Sequence, residues 1–176
     1  MMAESGDHRP YTKLKATGYV KERRRVGSML EERSAGVVVF HTDDGVTKYL
    51  LLKNDKSKYD LPKGNIEPGE SELKAAVREA KEETGLTDIK LVDGFSDKVI
   101  YFYLRPGGIK VHKSVQYYLG YTSNIDVRIS DEHKGFSWVT LEEALKLTTY
   151  ENVRVLLNKA DMFRKKNGIQ STLVIS

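Results

Sequence analysis

The chain has 176 residues, 39% of them hydrophobic and 31% charged, an ordinary globular balance with room for one domain around a real core. It contains no cysteine, which excludes disulfides, thiol nucleophiles and Cys-ligated zinc, and no apolar run long enough to cross a bilayer. A formal charge of +4 points to an anionic partner without naming it.

Residues 1–33 carry eight Lys or Arg against five Asp or Glu, densest at "KERRR" (21–25), and show no periodicity. They read as a basic N-terminal extension, and the opening "MMAESGDHRP" lacks a signal peptide's apolar stretch, so a cytoplasmic location is expected. The globular pattern is expected from Ser34, where "SAGVVVF" (34–40) reads as a buried strand. "TDDG" (42–45) is a turn signal and "KYLLLK" (48–53) a returning strand, which together predict a hairpin. "LPKGNIEPGE" (61–70), rich in Pro and Gly, predicts loop. A helix is predicted over Glu72–Glu83, with Ser71 as N-cap and Gly85 at its stop. "KVIYFYL" (98–104) and "HKSVQYYLGYT" (112–122) read as strands around the "RPGG" turn, and "FSWV" (136–139) as a short strand holding Trp138 in the core. "TLEE" (140–143) is a capping box opening a helix to Leu147, and a last helix spans Tyr150–Lys166, ending at Gly168. Residues 169–176 form a tail whose apolar "STLVIS" has no assigned place. Strands and helices mix without βαβ alternation, which favours a mixed sheet with helices packed on it.

The 72–84 helix concentrates chemistry. Leu73, Ala76, Val77, Ala80 and Thr84 share one stripe at about 100° per residue. Glu79, Glu82 and Glu83 fall on a neighbouring arc. A solvated face is the ordinary reading of a Glu-rich helix, supported here by the Arg78–Glu82 spacing. Three features weigh against it: the acids lie near the C-terminal end where the dipole disfavours them, no lysine interleaves them, and a glycine loop leads into the helix. Hard oxygen ligands on a short arc suit magnesium or manganese, which keep waters for substrate phosphates.

Gly64, five residues, Glu70, seven residues, then "REAKEETGL" (78–86) matches the Nudix box at each defining position, and the chain resembles Nudix hydrolases. The resemblance implies an α/β fold, an α/β/α sandwich with the mixed sheet between helices, over residues 34–168. It also implies hydrolysis of a pyrophosphate bond, with Glu79, Glu82 and Glu83 as metal ligands, Gly64 assisting through its carbonyl, and Glu70 holding Arg78 in a structural role.

The flanks "YDLPKGNIEPGE", "KSVQYYLG", "ISDEHKGFSWVTLEEA" and "TTYENV" look like the animal and archaeal asymmetrical diadenosine tetraphosphate hydrolases. Tyr59 departs from that group's Trp, and Asp131 from its first His. On this likeness Glu132 is a further metal ligand or a base, grouped with Glu82 and Glu83 as catalytic. An exposed turn acid is the plainer reading of Glu132. Lys63 and Lys113 match lysines suited to polyphosphate. Tyr103 and Tyr150 are the candidates for stacking adenine, with Tyr101 and Tyr117 as competitors; each tyrosine is otherwise a core residue. Asymmetrical cleavage gives ATP and AMP. The rivals are a 5′-end RNA pyrophosphohydrolase or decapping enzyme using the basic N-terminus on RNA, a hydrolase of nucleoside triphosphates or diphosphoinositol polyphosphates, and a non-catalytic nucleotide- or RNA-binding module. Oligomeric state is not legible.

Overall fold

The computed structural model describes residues 29–170 and the backbone of 25–26. Expectations for residues 1–24 and for "STLVIS" lie outside the described residues. The elements run β1 (Arg25–Val26), β2 (Met29–Asp43), β3 (Val46–Lys53), β4 (Tyr59–Asp60), β5 (Lys63–Asn65), α1 (Glu72–Thr84), β6 (Lys90–Arg105), β7 (Ile109–Tyr121), β8 (Gly135–Val139), α2 (Leu141–Leu147) and α3 (Glu151–Lys166). The main sheet is ordered β4-β3-β2-β7-β6, with β1 and β5 also paired to β2 and β8 to β3. It is mixed: β2 runs parallel to β7 and antiparallel to β1, β3 and β5.

Helices cover both faces, as expected. Successive β2 residues point to opposite faces. Ala35, Val37 and Val39 pack with Ala75, Ala76 and Ala80 of α1, while Val38 and Phe40 pack with Val153, Leu156, Leu157 and Ala160 of α3. Burial on both sides explains the unbroken apolar run 35–40. Each fully buried leucine of α3 contributes roughly 1.5–3 kcal/mol.

Several boundaries differ from the sequence reading, among them that of β6, which begins at Lys90 and not at Lys98. β2 starts at Met29, five residues before Ser34, because residues 29–33 continue the parallel ladder onto Lys110–Ser114. The 61–70 segment contains a strand: Lys63, Gly64 and Asn65 pair with Gly36, Ala35 and Ser34. That pairing partner is nearly thirty residues away, so local Pro and Gly content cannot announce it. The third helix runs Glu151–Lys166, as expected except that Tyr150 is its N-cap.

The α3 helix is bolted to the sheet by a buried polar cluster. Tyr49 donates its hydroxyl hydrogen to Asp161 at 2.7 Å, and Arg164 Nη2 donates to the same oxygen at 3.0 Å. Burial by itself would raise the Asp161 carboxyl pKa, but hydrogen bonds from Lys165, Tyr49 and Arg164 outweigh it and hold it below the usual value. A carboxylate held low in the fold contributes stability above its unfolded pKa, roughly 3.9, and loses it as pH falls through the folded value. Denaturant titrations should show Tyr49→Phe less stable by about 1 kcal/mol at neutral pH. Asp161→Asn should make the stability loss below about pH 4 shallower than in the wild type.

Candidate active site

The α1 helix begins and ends where its sequence dictates. Ser71 accepts the Lys74 N–H, and Gly85, at φ 70°, closes the C-terminus with its N–H on the Lys81 carbonyl. Its buried face keeps only part of the expected stripe: Ala76, Ala80 and Thr84 are buried, but Val77 is only half-buried. Leu73 is 46% exposed, whereas Glu79 and Glu83 are 1% and 6% exposed. Ala75, Ala76 and Ala80 form the contact, so the helix lies close to the sheet and turns two carboxylates inward. Glu82 stays outside at 49% side-chain exposure.

The strand β5 divides the site. Gly64 pairs with Ala35, on the α1 side, and a Cβ placed on Gly64 would meet the Glu79 carboxylate group. Any side chain there must displace Glu79. One residue earlier, Lys63 donates its backbone N–H to Glu83 Oε2 at 2.9 Å, while its side chain runs past Gly36 toward the Tyr117 ring on the opposite face. Its ammonium lies 2.7 Å from Asp60. Burial acts to lower the Lys63 pKa, and the Asp60 carboxylate, with Glu83 adding, more than reverses this and holds it above the ordinary value.

Arg78 joins loop and helix, as expected. Nε and Nη2 grip both Glu70 oxygens at 2.7 and 2.8 Å, and Nη2 also donates to the Asn65 carbonyl at 3.0 Å. Nη1 reaches Glu79 at 3.0 Å and Glu82 at 3.3 Å. The Glu70 hydrogen bonds, against the opposing effect of burial, hold the guanidinium pKa above its already high value. Among the described residues no three His, Asp or Glu side chains are gathered closely enough to hold an ion as they stand. The donor chemistry nonetheless fits a hard divalent cation: two buried carboxylates, a third at the rim, and the Gly64 peptide packed against Glu79.

The loop after β7 is tied to the same end of α1. Arg128 N–H bonds the Thr84 carbonyl at 2.8 Å and Ser130 N–H the Glu83 carbonyl at 3.3 Å. Glu132 is exposed in this loop, and its neighbour His133 is the residue brought onto Glu83, Nε2 to Oε1 at 3.3 Å without hydrogen-bond alignment. His133 stood in the quoted "DEHKGFSW" but had no assigned role, since nothing local says which of the adjacent polar residues turns inward.

Lys63, Tyr103, Lys113 and Tyr150 share the face opposite α1. Tyr101 pairs with Lys113 across β6 and β7, and Tyr150 sets its ring edge-on to Tyr101 at 5.9 Å. Tyr103 donates to Glu32 Oε2 at 2.8 Å, Lys113 Nζ lies 4.0 Å from the same oxygen, and Arg105 pairs with Oε1 of that carboxylate. Glu32 had no signal in the sequence because its strand was not expected to reach it. Tyr117 is fully buried and drops out as a stacking platform. Burial, with the Asp60 charge adding, pushes the Tyr101 and Tyr117 hydroxyls above their ordinary pKa. Trp138, expected in the core, is half-buried at the margin of the α1-side cluster, its indole N–H on the Ile125 carbonyl at 3.0 Å.

Comparison with known proteins follows the same frame. Residues 30–159 match the NUDIX domain model. The asymmetrical bis(5′-nucleosyl)-tetraphosphatase of Caenorhabditis elegans is 35% identical over 134 residues, 74% of this chain and 95% of that protein. A crystal structure of a C. elegans Ap4A hydrolase binary complex superposes with a TM-score of 0.69 at 33% identity, covering 77% of this chain and 98% of that one. An RNA pyrophosphohydrolase of Pelagibacter ubique is 26% identical over 137 residues, 68% of this chain and 86% of that protein.

Replacing Arg78 by Lys removes the planar fork that serves Glu70 and Asn65 together, and thermal or denaturant unfolding should register a loss of about 2–3 kcal/mol. Arg33→Lys, at an exposed pair with Glu72, should change stability by less than about 0.5 kcal/mol.

Proposed function

As the chain belongs to the Nudix family and is a Nudix hydrolase, we propose that it cleaves diadenosine tetraphosphate asymmetrically into ATP and AMP. The observation that carries the reading is the pairing of an inward-facing carboxylate group, Glu79 with Glu83, with a lysine- and tyrosine-lined face reached through adjacent residues Gly64 and Lys63. In this reading Glu79, Glu82, Glu83 and the Gly64 carbonyl hold magnesium or manganese. When bound, such an ion lowers the pKa of a water and neutralises charge growing on phosphate oxygens.

The protein's own groups supply the rest. A water oxygen forms a bond to phosphorus in line with the bridging oxygen, the bridging P–O bond breaks, ATP leaves and the water's proton passes to a carboxylate. Glu83 and Glu132 are the candidates for that carboxylate; Glu83 already receives the Lys63 N–H. Lys63 and Lys113 hold phosphate oxygens, and Tyr103 and Tyr150 take the adenine by stacking, worth roughly 1–3 kcal/mol per base. Arg78 and Glu70 hold the loop and helix in register. A cytoplasmic location belongs to the same proposal and rests on the sequence.

A second reading is supported by the resemblance to RNA pyrophosphohydrolases: the same phosphoanhydride chemistry on a 5′-triphosphorylated or capped RNA, with the basic N-terminus tracking the chain. Removing residues 1–24, which leaves β1 and β2 whole, should reduce activity on RNA but not on free dinucleotide if this reading is correct.

A substrate panel with product analysis tests the proposal: ATP plus AMP in equal amounts from diadenosine tetraphosphate is the expected result. Glu82→Gln and Glu83→Gln should each lower turnover by roughly 10²–10⁴-fold with melting temperature nearly unchanged. Near-normal turnover in both variants would remove these residues from the mechanism.

A further inference from the structure

Asp60 lies beside the lysine proposed to meet phosphate, and both of its carboxylate oxygens are engaged. Oδ1 accepts the Leu61 N–H at 2.8 Å and Oδ2 lies 2.7 Å from Lys63 Nζ. The two side chains are 18% and 22% exposed, so water screens this pair less than a surface pair. Both backbones are fixed: Asp60 pairs with Leu52 of β3, Tyr59 bridges to Thr148 ahead of α3, and Lys63 pairs with Gly36 of β2.

A site for a polyanion gains from cations and loses from any acid near the phosphate oxygens. An acid anchored on the central lysine therefore has a consequence for selection. It also keeps the Lys63 ammonium on the tyrosine face, so that Glu83 receives only the Lys63 backbone N–H.

We infer that Asp60 is a specificity-determining positioning residue: it holds Lys63 in a neutral pair and limits how much anionic charge this part of the site accepts. The inference rests on the nucleotide-polyphosphate reading of the site. With Asp60 in place, Lys63 contributes directed N–H donors more than net charge, and ligands that concentrate phosphate charge there bind less tightly than the lysine alone would allow.

Asp60→Asn keeps the shape and removes the charge, whereas Asp60→Glu keeps the charge. Calorimetric titration with α,β-methylene ATP, α,β-methylene ADP and AMP in the presence of magnesium measures binding without turnover. Asp60→Asn should bind the ATP analogue about tenfold more tightly than wild type, the ADP analogue with a smaller gain and AMP with the least. Asp60→Glu should stay near wild type. In turnover of diadenosine tetraphosphate the Asn variant should change KM, downward, more than kcat. Should Asp60→Asn not fold, Asp60→Thr carries the same expectation. Unchanged or weaker binding of all three ligands in the folded, uncharged variant would overturn the inference. If the wild type leaves diadenosine tetraphosphate intact, the substrate reading fails while the charge-graded binding still decides the role of Asp60.

Discussion

Two carboxylates, Glu79 and Glu83, are turned toward the sheet on the packed side of α1, and much of the surrounding architecture follows from keeping them satisfied there. A buried charge without partners is costly, so the chain supplies donors from several directions. The Arg78 guanidinium reaches Glu79, the Lys63 N–H reaches Glu83 and His133 abuts it. Close approach of helix to sheet requires small residues on one side and none on the other, which alanines of α1 and Gly64 of β5 provide. Arg78 then ties that helix back to the 65–70 loop, so acids, glycine strand and loop form one unit. The contacts that turn the acids inward are the same ones that hold helix and loop together.

Much of this was legible from residue order. The hairpin at 42–45, the Ser71 and Gly85 caps and the capping box at Thr140 follow from local chemistry that a linear reading can weigh, while the Glu70–Arg78 partnership is implied only by the family resemblance. The box spacing identified the acids as a group. Helical periodicity did not reveal which way they face, because Leu73 and Val77 bias the apolar stripe while the packing surface is made by alanines, which carry little hydrophobic signal. The pairings of β5 with β2 and of residues 29–33 with β7 were hidden for a different reason: their stabilisation comes from partners far along the chain. Glu32 and His133 matter through long-range neighbours in the same way. Each is an ordinary polar residue until the sheet places it.

The division of labour across β5 also accounts for how one short strand faces two different side-chain environments. A strand sends successive residues to opposite faces. Lys63 therefore belongs to the tyrosine-lined side and Gly64 to the carboxylate side, while the Lys63 N–H donates to Glu83. Shifting this strand by a single residue would exchange the two faces. The β2 ladder fixes it, and the pairing of Ser34 with Asn65, reinforced by their side-chain hydrogen bond at 3.1 Å, secures the register at its end.

The parallel pairing of β2 with β7 bears on how the chain reaches this state. Met29 lies opposite Lys110, so the central ladder joins segments some eighty residues apart. During synthesis the apolar strand 35–40 leaves the ribosome early, and its first partner, β3, covers only its far end. Its long neighbour arrives only after β6 and the turn behind it have emerged. Loop closure over that distance is slow, and an uncovered strand edge is open to pairing with other chains meanwhile. The nascent protein therefore depends on late arrival of its C-terminal half, and interrupting synthesis before Tyr121 leaves the longest apolar strand without the neighbour that protects it.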